Sequence, residues 1–318
     1  MFIQKILYNF NFNYKNINSK SLHSKLYIYN SYKKYTTGYI LKNKNVKYLH
    51  STVDEKEINH FNKFSSEWWN PNGIYKGLHW LNNSRVEFIK EVVTDKYNSL
   101  RGPLYNLRIM DIGCGGGLLS EKLAKLGGDI LGIDLSYPAI KIALKHGQDY
   151  YNNNLNITEL QNINNLKEYL KSAIIPNRIS YYVGDIEEIS SIAPNSFDIV
   201  IASEIIEHVR EPKQFVKFIG QVLRNNGIAI FTTINRTLLS YFLTITIMED
   251  ILQIIPKKTH TWEKYIKPNE LDRYAFYADM IKIKSSGYIF IPGVNCFVAS
   301  KYMDFCNYFC AYKKTKDQ

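Results

Sequence analysis

Three clusters of residues in this sequence have types and spacing suited to chemistry. The first is Asp111-Ile112-Gly113-Cys114-Gly115-Gly116-Gly117, which closes a short apolar run and opens a helical pattern at Leu118. Glycines there give a tight turn without side chains, so that the backbone can approach a ligand beside a helix N-terminus. The second is Asp134, at the end of the next apolar run, about the spacing at which an acid reaches a ribose diol. Its two carboxylate oxygens can accept from both hydroxyls, which neither Asn nor Lys could do. The third is Ser203-Glu204-Ile205-Ile206-Glu207-His208-Val209. If that stretch is helical, Glu204, Glu207 and His208 fall at i, i+3 and i+4 and project from one face. Three readings stand side by side: a divalent-cation site with positions left for substrate, a metal-free acid/base site centred on His208, and a plain amphipathic helix start.

Elements that could position these clusters follow from the hydrophobic pattern. Short apolar runs at Leu107 to Ile112, Ile130 to Ile133, Ile179 to Val183, Phe197 to Ala202 and Ile228 to Thr232 alternate with helical segments. Such alternation predicts βαβ units, an α/β fold with a doubly wound, mostly parallel sheet covered by helices on both faces. All three clusters then lie at carboxyl ends of strands, where open α/β sheets bind ligands. Upstream, a helical pattern through Ile58, Phe61 and Phe64 towards Trp68 and Trp69 predicts an N-terminal helical cap, and Leu78 to Val93 a second helix. The Asn-rich stretch from Tyr151 to Asn165, part of an insertion over about 151–176, reads as a surface insertion without a chemical role.

Composition narrows the field. The 318 residues are 45% apolar and 22% charged, ordinary globular values, with a formal charge of +11. That excess suggests an anionic partner until it is located: residues 1–52 hold nine lysines and no acid, which leaves 31 basic and 29 acidic residues beyond. With no aromatic-basic recognition motif in the remainder, nucleic acid is not an expected partner. The acid-free leader has no apolar run long enough for a secretory signal or a membrane span, so the reading is a mitochondrial-type transit segment, with a basic tail as the alternative. Cys114, Cys296, Cys306 and Cys310 show no zinc or disulfide spacing. Cys306 and Cys310 could share a helix face, with burial as small apolar residues the favoured reading.

The D-x-G-x-G-x-G loop resembles motif I of class I S-adenosylmethionine-dependent methyltransferases, which implies a Rossmann-like fold and a loop facing the methionyl part of that cofactor. Within the superfamily, the sequence resembles the ubiquinone biosynthesis O-methyltransferases. The stretches that carry the likeness are Phe64-Ser65-Ser66-Glu67-Trp68-Trp69, Leu78-His79-Trp80-Leu81-Asn82 with Arg85, Asp111 to Gly117, and Ser203 to Val209. Further matches are Thr233-Ile234-Asn235-Arg236, Pro256-Lys257-Lys258-Thr259-His260 and Phe290-Ile291-Pro292-Gly293. Together they cover nearly all of residues 53–318, the expected methyltransferase domain. The resemblance implies that Gly113, Gly115, Gly117 and Asp134 bind the cofactor, that Arg85 meets its carboxylate side, that Asp185 accepts from the adenine amino group, and that Ser203 lines the site. It also implies a divalent ion, Mg²⁺ by preference, on Glu204, Glu207 and His208. It implies methylation of phenolic hydroxyls on polyprenylated catechol or quinol intermediates at both O-methylation steps, beside other subunits of the pathway. The apolar segment over about 237–256 is too short to span a bilayer and resembles an interfacial element, for peripheral contact with the matrix side of the mitochondrial inner membrane; a buried cap helix is the alternative. The rival functions are methylation of another small phenol or a ring carbon, and a non-catalytic cofactor-binding scaffold.

Overall fold

A computed structural model describes residues 58, 62–94, 97, 100–151, 155–244, 261–291, 293–300 and 304–315. The leader, Phe61, Pro256-Lys257-Lys258-Thr259-His260 and most of the apolar segment lie outside these residues. In chain order the regular elements are α1 (Lys76–Thr94), β1 (Arg108–Ile112), α2 (Leu118–Lys125), β2 (Asp129–Asp134), α3 (Tyr137–Tyr151), β3 (Asn156–Leu160), α4 (Ile163–Lys171), β4 (Arg178–Val183), α5 (Ile186–Ile192) and β5 (Phe197–Ser203). They continue with α6 (Pro212–Val222), β6 (Leu223–Ile234), α7 (Pro268–Phe276), β7 (Met280–Ile291), β8 (Cys296–Ser300) and β9 (Asn307–Lys314).

Among the described residues the strands form one sheet in the order β3-β4-β2-β1-β5-β6-β9-β7-β8. From β3 to β6 all neighbours are parallel; β9 pairs antiparallel with both β6 and β7, and β7 with β8. The expected parallel strands are all present. Their near-continuous apolar runs reflect burial on both faces. Ile109, Ile130, Ile199 and Ile201 pack against α1, α2 and α3 through Phe88, Leu123 and Ile140, while Met110, Leu131, Val200 and Ala202 meet α5 and α6 through Ile189, Phe215 and Ile219. Adjacent residues point to opposite faces because a strand repeats every two residues. The order of connections reverses between β1 and β5, and the carboxyl ends there form the crevice in which such sheets bind ligands.

The Asn-rich insertion is not a featureless surface loop. It supplies β3, an edge strand parallel to β4, and α4, whose N-cap Asn162 accepts from the backbone N–H groups of Asn164 and Asn165 at 2.9 and 3.1 Å. Tyr169 of α4 is buried, and its hydroxyl donates to Asp129 at 3.3 Å. Arg178 clamps the same carboxylate with Nε and Nη2 at 2.8 and 2.7 Å, while Arg108 donates to the carbonyls of Leu170 and Ser172. Arg108, Asp129 and Arg178 each begin a strand. The polar clamp thus lies at the edge opposite the ligand-binding one.

Two other expectations change. Ile58 and Asn62 are helical, but the pattern does not continue as a helix to the tryptophans: Ser65–Glu67 form a single 3₁₀ turn, and turns lead from Trp68 to α1. Cys310 lies on β9 and Cys306 just before it, so they belong to a strand and not to a helix; both are buried, and all four cysteines are free.

Candidate functional site

β1 delivers Asp111 and then the glycine loop. Gly113, Gly115 and Gly117 adopt φ of 68°, 52° and 85°, the left-handed region that a side chain opposes. The N–H groups of Gly113 and Cys114 donate to the Ile133 carbonyl at 2.8 and 3.1 Å, which fastens the loop to β2. Asp134, at the end of β2, completes the fastening: Oδ2 accepts from the Gly115 N–H at 2.9 Å and Oδ1 from the Ser136 N–H at 2.7 Å. Burial pushes its carboxyl pKa up, against those backbone donors. A carboxylate has about four acceptor sites, and with the Leu135 N–H also acting on it acceptor capacity is left for a ribose hydroxyl. The residues present therefore fit a nucleoside ligand.

Asp111 stands behind the loop, fully buried, with Oδ2 accepting from Ser120 Oγ at 2.6 Å. Loss of hydration raises its pKa from the ordinary 3.8 to about 6. Asp185 follows β4 and caps α5, its Oδ1 accepting from the Glu188 N–H at 2.9 Å.

A directed chain of hydrogen bonds links α1 to the ends of β5 and β6. Arg85 Nη1 donates to Ser203 Oγ at 2.8 Å, Ser203 Oγ lies 2.8 Å from Thr232 Oγ1, and Thr232 Oγ1 donates to Glu204 Oε1 at 2.7 Å. Since the Thr232 proton goes to Glu204, Ser203 donates to Thr232, and every link runs from cation to carboxylate. Arg85 is buried, its Nη2 bonds the Leu78 carbonyl, and its Nε has no partner among the described residues. Burial lowers the guanidinium pKa, and the charges of Glu204 and Asp111 oppose that shift.

The stretch from Glu204 to His208 is not an α-helix. Glu204 has φ of 51°, unusual for a residue with a side chain, and its N–H donates to the Thr232 carbonyl at 2.9 Å. Ile206–His208 then form one 3₁₀ turn. Glu207 is buried and its Oε2 accepts from Thr233 Oγ1 at 2.8 Å. Consecutive threonines of β6 thus hold the two carboxylates. The i, i+3, i+4 face does not form, and no group of three or more His, Cys, Asp or Glu arranged to hold a metal exists among the described residues. As they stand, Glu204, Glu207 and His208 do not fit a metal ion.

The tryptophans settle onto the glycine loop. A Cβ added at Gly115 would lie 2.4 Å from Trp68 Cη2, and one at Gly116 would lie 2.5 Å from Trp68 Cβ. The bare backbone of the loop therefore admits an indole of the cap. Trp69 Nε1 donates to the Gly116 carbonyl at 2.8 Å, and its ring stacks on His146 with centroids 3.4 Å apart; His146 Nδ1 in turn lies 2.9 Å from Glu121 Oε1.

The methyltransferase domain family matches residues 110–231. The chain is 33% identical over 266 residues, 84% of its length and 96% of the other's, to the ubiquinone biosynthesis O-methyltransferase of Hydrogenovibrio crunogenus. The chain belongs to the ubiquinone biosynthesis O-methyltransferase family. The mitochondrial member from Homo sapiens is 38% identical over 224 residues, 70% of this chain and 55% of that one. In fold this chain is similar to magnesium protoporphyrin IX methyltransferase from Synechocystis PCC 6803, solved with bound SAM, at a TM-score of 0.50 and 12% identity over 84% of this chain and 100% of that one. The protein is a SAM-dependent methyltransferase with the class I fold.

Seen as a member of this family, the chain brings together most of the residues expected from sequence. Gly113, Gly115, Gly117 and Asp134 form one hydrogen-bonded unit, and Arg85, Ser203 and Glu204 another at the neighbouring strand ends. Arg85 is buried on α1. Sequence reasoning assigned no part to Thr232 or Tyr75, read His79 and Thr233 only as family markers, and read Trp68 and Trp69 as family markers at the end of the cap. Paired Thr residues at the end of a strand facing two acids were the available signal.

Proposed function

We propose that this chain methylates phenolic hydroxyls of polyprenylated catechol or quinol intermediates at both O-methylation steps of ubiquinone biosynthesis. One observation carries the reading. The loop clasped by Asp134 adjoins the polar chain from Arg85 to Glu204 at the sheet's switch point, in a chain aligned over 84% of its own length to 96% of such a methyltransferase. The cofactor, when bound, supplies an electrophilic methyl group on its sulfonium. Gly113 to Gly117 and Asp134 hold and orient it, with Arg85 and Ser203 on its amino-acid side and Asp185 toward the adenine. Methyl transfer is an in-line displacement, so alignment does much of the work. A free phenol has a pKa of about 10, so the hydroxyl must lose its proton near neutral pH. His208, at the end of the 3₁₀ turn, takes that proton. Glu204 and Glu207 lie just before it in the chain, their carboxylates held by Thr232 and Thr233. The divalent ion rests on the resemblance alone, and no step is routed through it.

Placement at the matrix side of the mitochondrial inner membrane, beside other pathway subunits, belongs to the same proposal. It is supported by mitochondrial relatives and by Leu238, Leu239, Tyr241 and Phe242, which are exposed together just after β6. No helix among the described residues is long and apolar enough to cross a membrane.

The test is methyl transfer by the purified protein from S-adenosylmethionine to a short-tailed polyprenyl catechol, with and without a chelator. Methylated product in both conditions supports the reading. Product abolished by chelator and restored by Mg²⁺ would reinstate the metal, and cofactor binding without turnover on any catechol would favour the scaffold.

A further inference from the structure

Beside the glycine loop lie two hydrogen-bond donors that the protein does not use. Trp68 packs its indole on Gly115 and Gly116, and Tyr75 stacks on Trp68 with ring centroids 4.0 Å apart and planes 7° from parallel. Both residues are more than nine-tenths buried, at 9% and 7% exposure, and Trp68 Nε1 and the Tyr75 hydroxyl have no partner among the described residues. The neighbouring polar groups of the cap are bonded: Trp69 Nε1 to the Gly116 carbonyl, His79 Nε2 to the Trp68 carbonyl at 2.9 Å. Buried donors normally find acceptors, and two unpaired ones side by side call for a common explanation. Asp134 is close enough for its charge to act on Tyr75, which puts the hydroxyl near the junction of the loop and β2.

We infer that the Tyr75 hydroxyl and the Trp68 indole N–H are cofactor-binding donors, which bond the amino-acid carboxylate of S-adenosylmethionine from the cap side. This rests on the methyltransferase reading above. The carboxylate is the cofactor's acceptor-rich anionic group, with room for several donors. It belongs to the methionyl part that the glycine loop faces, directly beneath Trp68. The family resemblance gives Arg85 the same end of the ligand, and a carboxylate has enough acceptor sites for donors from all three residues. With the cap seated on the loop, both donor atoms are shut off from solvent. The cap must therefore shift on the loop to admit the carboxylate and re-seat against it, so that two unpaired donors become paired on binding.

The experiment compares two ligands by calorimetry on the full chain. S-adenosylhomocysteine carries the carboxylate; 5′-methylthioadenosine keeps the adenine, ribose and thioether but lacks it. Tyr75→Phe removes one hydroxyl and keeps the stacked ring, and should weaken S-adenosylhomocysteine about 10- to 100-fold, the loss of a hydrogen bond to a charged group. Methylthioadenosine should bind within twofold of wild type. Trp68→Phe, which keeps a ring over the glycines, should show the same selectivity. Equal losses for both ligands, or no loss for either, would overturn the inference, because both outcomes describe residues that only pack. Failure of the wild-type chain to bind S-adenosylhomocysteine would instead defeat the methyltransferase reading.

Discussion

A methyl group placed on Gly116 would stand 2.5 Å from Trp68 Cβ and 2.6 Å from its Cγ. Carbon atoms in contact sit about 3.5–4.0 Å apart, so the indole has to retreat by roughly 1 Å. The backbone of Gly116 is outside the left-handed region, unlike Gly115 and Gly117, so Gly116→Ala isolates the packing of the cap from backbone strain. Two responses compete. Overpacking with the cap in place costs about 1–3 kcal/mol. Lifting the cap would expose Trp68 and Tyr75, each burying about 150–250 Å², or about 4–6 kcal/mol apiece at 25 cal/mol per Å², and would break the Trp69 bond to Gly116. The cap should therefore stay seated but displaced, with the protein destabilised by about 1–3 kcal/mol and S-adenosylhomocysteine bound more weakly. Urea unfolding followed by tryptophan fluorescence reads the first effect and calorimetry the second. Gly77→Ala is the control: at the start of α1 its Cβ would meet nothing within 4 Å, and it should leave stability unchanged or raise it by up to about 1 kcal/mol. A Gly116→Ala protein as stable as Gly77→Ala, with undiminished affinity, would refute the seating of the cap on the loop.

Three further outcomes are expected. Asp129→Ala leaves Arg178 buried without its carboxylate and should cost about 3–5 kcal/mol; a loss below 1 kcal/mol in urea unfolding would show that the clamp on α4 is dispensable. Asp111 has a folded pKa of about 6 against an ordinary 3.8, so the native state holds its proton longer and the group's contribution falls as pH rises from about 4 through 6, then stays flat. Asp111→Asn lacks that slope, and its stability relative to wild type should improve by about 1 kcal/mol between pH 5 and 7.5; a constant difference across that range would contradict the raised pKa. His208→Ala should lower kcat by about 10²–10⁴-fold, the scale of a lost general base, while S-adenosylhomocysteine affinity stays within twofold; parallel losses in both would assign His208 to binding.

What could be read from sequence tracks where the information lies. Strands buried on both faces, such as Ile109 to Ile112 and Ile199 to Ala202, announce themselves as apolar runs. β3, with the sequence Asn156 to Leu160, is an edge strand with mostly exposed side chains, and its pattern is diluted by the asparagines around it. Asparagines elsewhere carry information of another kind, since Asn106, Asn177, Asn195, Asn226 and Asn295 all take left-handed turns. The glycine loop and Asp134 were legible because their chemistry is local. The arrangement of Glu204, Glu207 and His208 was not, because the turn there is set by Thr232 and Thr233 on a strand 26 to 29 residues away. The roles of Trp68 and Tyr75 were hidden for the same reason: an unpaired donor exists only once the fold has excluded water from it.

The position of β9 has a consequence for how the chain reaches this state. β9 follows every other described strand in the sequence, yet it lies between β6 and β7, with Tyr308 to Tyr312 buried along it. Until it emerges from the ribosome, β6 and β7 cannot be joined. A nascent chain already carrying the cofactor loop would still present an open β6 edge, a template for pairing with another molecule. Closure of the sheet therefore waits on β9, and the vulnerable species is any chain in which β6 is formed and β9 has not yet docked between it and β7.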